Sequence, residues 1–310
     1  MHNLPNDTLF VPSGTTVYID GGARVYGNIF TEGAHDVNIF GRGEVHPDGR
    51  GAGVWVRRSK NVRIDGIVVS QLPIGQCDSV ELTNVKSISY YGWGDGMDVF
   101  SSSNVILDGV FCRNSDDCAA VYASTQGFKG GSNNVLVKNA TLWADVAHPI
   151  NIGGHGDPNG MDTVQNVTFR NIDILDQAEK QIDYQGCLAI NPGDNTLVRN
   201  ITFENIRIED FRNGQLVNFR ISFNPKYCVS TGRGIQNVLV KDVTYNGSGE
   251  NLSIIAGYDE NHKISGIRFV NLVVNGRKIT DDMPGKPKWY KTGDMAGIFV
   301  GEHVENISFE

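Results

Sequence analysis

Along this chain, apolar and polar residues alternate at period two in short runs, each broken by a turn-forming pair and then resumed. One phrase carries the pattern: Asn-apolar-x-apolar-x-x-apolar-x-apolar. It reads NVRIDGIVV at 61–69, NVILDGVFC at 104–112 and NVLVKNATL at 134–142. It returns as NVTFRNIDI at 166–174, NITFENIRI at 200–208 and NVLVKDVTY at 237–245. Weaker copies are VNIFGRGEV at 37–45, NVKSISYYG at 84–92 and GIRFVNLVV at 266–274, and the chain ends in NISFE at 306–310. Alternation at period two predicts strands. The interrupting Asp-Gly, Lys-Asn, Arg-Asn and Glu-Asn pairs predict turns, because those residues tolerate left-handed backbone. No helical period of useful length interrupts the series.

A strand-turn-strand this short cannot bury its apolar face alone. Stacking successive copies at ~4.8 Å builds a continuous core and pairs the backbone in parallel ladders. The Asn-to-Asn interval runs from 20 to 37 residues, so loops vary while the core phrase persists. A propeller needs a more uniform four-stranded blade, and a leucine-rich repeat needs a Leu/Asn signature that is missing. The predicted architecture is therefore all-β: a single-stranded, right-handed parallel β-helix of about ten coils, one domain over 1–310. The stretch FVPSGTTVYIDGGARVYGNI opens it. The recurring Asn61, Asn84, Asn104, Asn134, Asn166, Asn200 and Asn237 are expected to form a structural ladder of side-chain amides at one turn.

Composition narrows the function. A net charge of −8 argues against nucleic acid, whose binding rests on Lys and Arg contacts to phosphate. No stretch approaches the ~20 apolar residues of a membrane span. The five cysteines, Cys77, Cys112, Cys118, Cys187 and Cys228, are an odd number without a C-x-x-C pair, so buried free thiols are expected. No metal-ligand set or phosphate loop stands out, and a cofactor-free protein is predicted. The opening Met1–Thr8 lacks the apolar core of a signal peptide, so export would require a leader absent from these residues. Oligomeric state is not readable.

The chemistry is expected on a third strand between the phrases. Aligning inward-pointing apolar residues gives DGMDV at 95–99, DCAAV at 117–121, HPINI at 148–152 and GCLAI at 186–190. Asp95, Asp117 and His148 then share one register on successive coils, and Asp116 adjoins them. Aspartates in turns commonly accept backbone hydrogen bonds, so a lone Asp-Gly carries no weight. Stacked acids are different. Two carboxylates ~5 Å apart repel by about 3 kcal/mol at an effective dielectric near 20, roughly two pKa units. A fold does not need that strain, but catalysis can use it, since one acid stays protonated while its neighbours ionise. Such a set can protonate a leaving oxygen and activate water, the requirement for glycosidic hydrolysis. Carboxyls ~6.5–9.5 Å apart would give inversion.

The segments D-G-M-D, S-D-D-C and H-P-I-N-I-G resemble the active-site strands of glycoside hydrolase family 28, the polygalacturonases, with patterns N-T-D, G/Q-D-D and G-H-G. The relation to family 49, the dextranases and isopullulanases, is comparably close. There a tyrosine follows the double Asp, as Tyr122 follows Asp117, and a Trp-bearing strand precedes the next coil, as Trp143 does. The resemblance implies an inverting glycosidase. In it Asp116 is the general acid, Asp95 and Asp117 activate water, and His148 tunes the acid or holds a sugar hydroxyl. The sequence departs from family 28 at Trp93-Gly94, where Asn-Thr is usual. It departs again at Ala189-Ile190-Asn191, where the family carries the Arg-Ile-Lys that binds a uronate. A neutral or differently placed anionic glycan is the implied substrate, with Arg220 one coil further as a replacement cation.

Substrate contacts are expected from Trp93, Asp98, Asn151, His155, Asn191, Arg220 and Trp289, with Asp157, Tyr184, Tyr227, Tyr258 and Tyr290 as further cleft candidates. The Gly-rich 153–160 is expected to be a mobile loop. Two other classes compete: a polysaccharide lyase, which needs a basic catalyst the site lacks, and a non-catalytic glycan-binding β-helix. An extracellular or periplasmic location is expected from the substrate class.

Overall fold

The structure is a computed structural model that describes residues 2–47, 49–248 and 251–310. Its strands form parallel ladders, and every coil adds one strand to each face. One face runs through Thr16–Ile19, His35–Gly41, Lys60–Asp65, Asp78–Thr83 and Ser103–Asp108, then onward to Val304–Phe309. A second face joins the later halves of the same phrases. The third face, outside the phrases, runs through Ile74–Gly75, Met97–Phe100, Ala119–Tyr122, Ile150–Ile152, Leu188–Ile190, Val217–Arg220 and Ser253–Ala256 to Ile298–Val300. This is the predicted parallel β-helix. A right-handed rise follows from the general rule for parallel crossovers. Among the named strands, the one antiparallel pair is Leu272–Val274 with Arg277–Ile279. No helix among the described residues is long and apolar enough to cross a membrane.

Each phrase places alternate Val, Ile, Leu or Phe in the core, as in Asn133–Ala144, where Val135, Val137, Ala140 and Leu142 are buried. Phe169 stacks on Phe203 of the next coil at 5.9 Å between centroids, and Phe203 meets Phe219 of the third face across the core at 6.0 Å. All five cysteines are free and buried, as expected.

The asparagines explain themselves through their backbone. Asn104, Asn134, Asn166, Asn200 and Asn237 all hold φ near 56°, a left-handed conformation that Asn tolerates better than other non-Gly residues. Their amides chain together, Asn134 Nδ2 donating to Asn104 Oδ1 at 2.7 Å and Asn200 Nδ2 to Asn166 Oδ1 at 3.1 Å. Asn84 is misplaced by the sequence reading. Val80 pairs with Val62, so Ser79 takes the ladder register, and Asn84 belongs to a second turn with Asn139, Asn171 and Asn205. Both turns need left-handed backbone, so an Asn alone does not say which one it occupies.

Candidate active site

The acids lie on the third face because the chain presses two coils together there. Met97 pairs with Ala119, and Ala119 with Ile150, which carries Asp95, Asp117 and His148 onto one register, as read from the sequence. Gly96 makes the approach possible: a Cβ there would stand 2.1 Å from the Cys118 carbonyl oxygen. At Gly94 a Cβ would stand 2.5 Å from Ser115 Oγ and 2.7 Å from Ser89 Oγ. Ser115 ties the turn before the acids to the loop above it, its amide donating to Ser89 Oγ at 3.1 Å and its hydroxyl to the Tyr91 carbonyl.

Asp117 is 1% exposed and accepts four hydrogen bonds. Oδ1 takes the His148 amide at 3.1 Å and faces His148 Nδ1 at 2.7 Å. Oδ2 takes the Tyr122 hydroxyl at 2.5 Å and Asn151 Nδ2 at 2.8 Å. Burial alone would raise its pKa. The His148 charge and the donors from His148, Tyr122 and Asn151 outweigh burial and hold the carboxyl below its usual range. Against an ionised carboxylate, His148 Nδ1 carries the proton.

The neighbouring acids behave oppositely. Burial first, and then the charges of Asp117 and Asp95, push Asp116 up to about 8. Burial and the Asp117 charge push Asp95 up to about 7. The sequence reading assigned these shifts to repulsion; desolvation is the larger cause. One oxygen from each of Asp95, Asp116 and Asp117 lies within 4.8 Å of the others, closer than the spacing expected for inversion. A rule built for two carboxyls does not read stereochemistry from three. The same three acids have the spacing of a cation site.

Two predicted substrate contacts are corrected. Asn151 is 2% exposed and serves Asp117 and the Tyr122 hydroxyl, so it positions the acid. Asp98, 4% exposed with its Oδ1 unpartnered, is a buried fourth acid whose pKa burial and then the Asp95 charge raise well above normal. Trp289 is also displaced. It precedes Ile298–Val300, five strand steps beyond Ala119–Tyr122, roughly 24 Å at ~4.8 Å per step. Its ring contact is Tyr290.

The other candidates are placed as follows. Trp93 is exposed two residues from Asp95. His155 packs edge-on against Tyr122 at 5.0 Å, and burial lowers its pKa. Asn191 donates to Asn218 Oδ1 at 3.1 Å, and Arg220, in register one coil later, donates to the Asp183 carbonyl at 2.8 Å. Tyr184 packs on His148 at 4.3 Å and Tyr227 on Tyr184 at 4.9 Å, extending the floor away from the acids. Asp157 instead pairs with Lys129, and Tyr258 packs on His262. The 153–160 loop is tied down, Asp162 accepting the Asp157 and Ser124 amides. Glu179, buried and adding to the Asp116 shift, was missed because it lies outside the aligned strands.

A family model described as glycosyl hydrolases family 28 matches residues 52–282. A polygalacturonase of Juniperus ashei is 26% identical over 216 residues, covering 67% of this chain and 39% of the relative. A probable endopolygalacturonase D of Neosartorya fischeri is 24% identical over 285 residues, covering 79% of this chain and 55% of the relative. The chain thus spans between about two fifths and just over half of these relatives. The structure of a Yersinia enterocolitica family 28 exopolygalacturonase superposes with a TM-score of 0.71 at 14% identity, over 97% of this chain and 70% of that one. At that identity the likeness shows a shared fold.

Proposed function

The chain belongs to glycosyl hydrolase family 28, and from that premise we propose that it hydrolyses O-glycosidic bonds of a polysaccharide or oligosaccharide. One observation carries the reading. Beside the anchored, ionised Asp117 stands Asp116, whose carboxyl keeps its proton to about pH 8. In the proposed step Asp116 gives its proton to the glycosidic oxygen as the bond to the anomeric carbon breaks. Water attacks that carbon and passes a proton to a carboxylate. The sequence reading gave this second task to Asp95 and Asp117 together. The hydrogen bonds on Asp117 fill its acceptor positions, which favours Asp95 as base and Asp117 as the fixed charge that raises both partners. His148 and Tyr122 are positioning residues for Asp117.

Ala189 and Asn191 stand in the register after His148, where the family's cations are expected. This supports an uncharged sugar between the acids. Inversion is the stereochemical outcome the family implies. Polysaccharides of this class are met outside the cytoplasm, which supports an extracellular or periplasmic location.

Reducing-sugar release from polygalacturonate, rhamnogalacturonan, dextran, pullulan and mixed polysaccharides tests the reading, comparing wild type with Asp116→Asn. Release on one glycan, lost in the variant, is the expected result. Binding without release, unchanged by the variant, would replace the hydrolase with a glycan-binding module. An ultraviolet-absorbing unsaturated product would replace it with a lyase.

A further inference from the structure

A polar residue breaks the inward apolar pattern directly beneath the acids. In Phe111–Asn114 the inward positions are Cys112 and Asn114, and both are 0% exposed. The next two coils place Ala144 and then Gln177 in the register of Asn114. An amide that faces the core is costly unless it is hydrogen-bonded, so its partners say what it is for.

Asn114 Nδ2 donates to Ser87 Oγ and Ser89 Oγ at 3.0 Å each, and to the Asp95 carbonyl at 3.1 Å. Ser89 in turn donates to the Gly94 carbonyl. The two peptide groups that flank the Asp95 Cα are thus held from the core side. Asn114 also leads, through Ser115, straight into Asp116 and Asp117. One side chain therefore ties the segment bearing two acids to the backbone of the third. Gly96 leaves room for it, since a Cβ there would stand 2.6 Å from Asn114 Oδ1. Gln177 repeats the device, its Nε2 donating to the Ala147 carbonyl at 3.1 Å, beside His148. In both cases an amide ending a second-face strand holds the carbonyl just ahead of the third-face strand one coil earlier.

We propose that Asn114 is a positioning residue of the site, holding the Asp95 backbone against the Asp116–Asp117 segment so that the three acids keep their spacing. Its consequence for catalysis rests on the hydrolase reading; the geometry does not. Asp117 is fixed by donors to its carboxyl group, whereas Asp95 is fixed through its backbone. Displacing a base by ~1 Å can cost ~10²-fold at the chemical step. A loosened Asp95 also leaves its buried place and moves away from Asp117. Burial and that charge are what raise its carboxyl, so its titration should fall.

The test substitutes Asn114→Leu, which keeps the volume and removes the donor. Kinetics use the glycan that wild type cleaves. A carboxyl-carbon NMR titration of aspartate-labelled protein follows Asp95, assigned through Asp95→Asn. Expected are a kcat lower by about tenfold or more with KM within about twofold, and an Asp95 titration lower by about one pH unit. Cys112→Ala opens the same core two residues away and leaves the tie intact. It should lower the melting temperature and keep kcat within about twofold. If Asn114→Leu does not fold, Asn114→Ser, too short to reach the Asp95 carbonyl, takes its place with the same expectations. An Asp95 titration that does not move in the folded variant, an unchanged kcat, or an equal kcat loss in Cys112→Ala overturns the proposal. The titration needs no substrate. A wild type that releases sugar from no glycan therefore ends the hydrolase reading and leaves the titration to decide the positioning role.

Discussion

Two stacks of polar side chains run along this solenoid, and they differ in one respect that separates scaffold from chemistry. In the asparagine ladder each amide donates to the coil before it, as Asn134 does to Asn104 and Asn237 to Asn200, or to an aspartate at the early end, as Asn61 does to Asp36 and Asn104 to Asp78, and the row is open to solvent. In the acid row Asp117 is buried and ionised, while Asp95 and Asp116 are half-buried with carboxyls pushed up to about 7 and about 8. His148 Nε2, Asp98 Oδ1 and Asn151 Oδ1 have no hydrogen-bond partner among the described residues. Repetition in register is common to both. A satisfied, solvated stack stabilises its turn, while a desolvated stack of acids with unmet partners opposes folding and is kept for reactivity.

The most severe way to break the comparison is Asp116→Asn. Loss of the acid should lower kcat by ~10²–10⁴-fold, the usual worth of general acid catalysis. Folding should improve. Asp116 is raised when folded, so its contribution is fullest below the unfolded carboxyl range and is lost as pH rises towards about 8. Removing the charge should stabilise the protein at pH 8 by on the order of 1–3 kcal/mol, with little change at pH 4. Urea denaturation at the two pH values checks the sign. Asp117 is depressed and runs the other way, stabilising above the ordinary carboxyl range and losing that stabilisation in acid.

The pH profile sharpens the same point. Activity should fall above about 8 as Asp116 loses its proton and below about 7 as Asp95 gains one, giving a narrow bell for kcat/KM. The two limbs belong to the coupled set. A profile flat from pH 5 to 9 would remove both acids from their roles. Tyr122→Phe takes one donor from Asp117 and leaves the ring in place. We expect a loss of about 1–3 kcal/mol in stability and a shifted acid limb, which a purely structural tyrosine would not move. The smallest effect belongs to the other stack: Asn166→Ala should cost about 1–2 kcal/mol through its left-handed backbone and leave kcat unchanged.

Much of this was legible in the residues. Asp95, Asp117 and His148 aligned correctly because the strand that carries them keeps its inward apolar residues, Met97, Ala119 and Ile150, at fixed offsets. Asn84 was misread because two different turns ask for the same residue. Asn151 and Asp98 were read as substrate contacts because outward-pointing residues on a strand are normally solvated. Here the outer surface of the strand is covered, with Phe100, Tyr122 and Phe128 packed over it. Trp289 shows the matching error, since a tryptophan in a loop carries no address along the axis.

The solenoid, its three faces and the stacking of the acids follow from the residue pattern, since period-two alternation and turn residues act locally and repeat. How each acid behaves depends on packing between coils. Asp116 and Asp117 are adjacent in the chain, yet one is pushed up to about 8 and the other held down. The difference comes from His148, Tyr122 and Asn151, and from the burial that the neighbouring coils impose. Those are distances in space, and no local pattern encodes them.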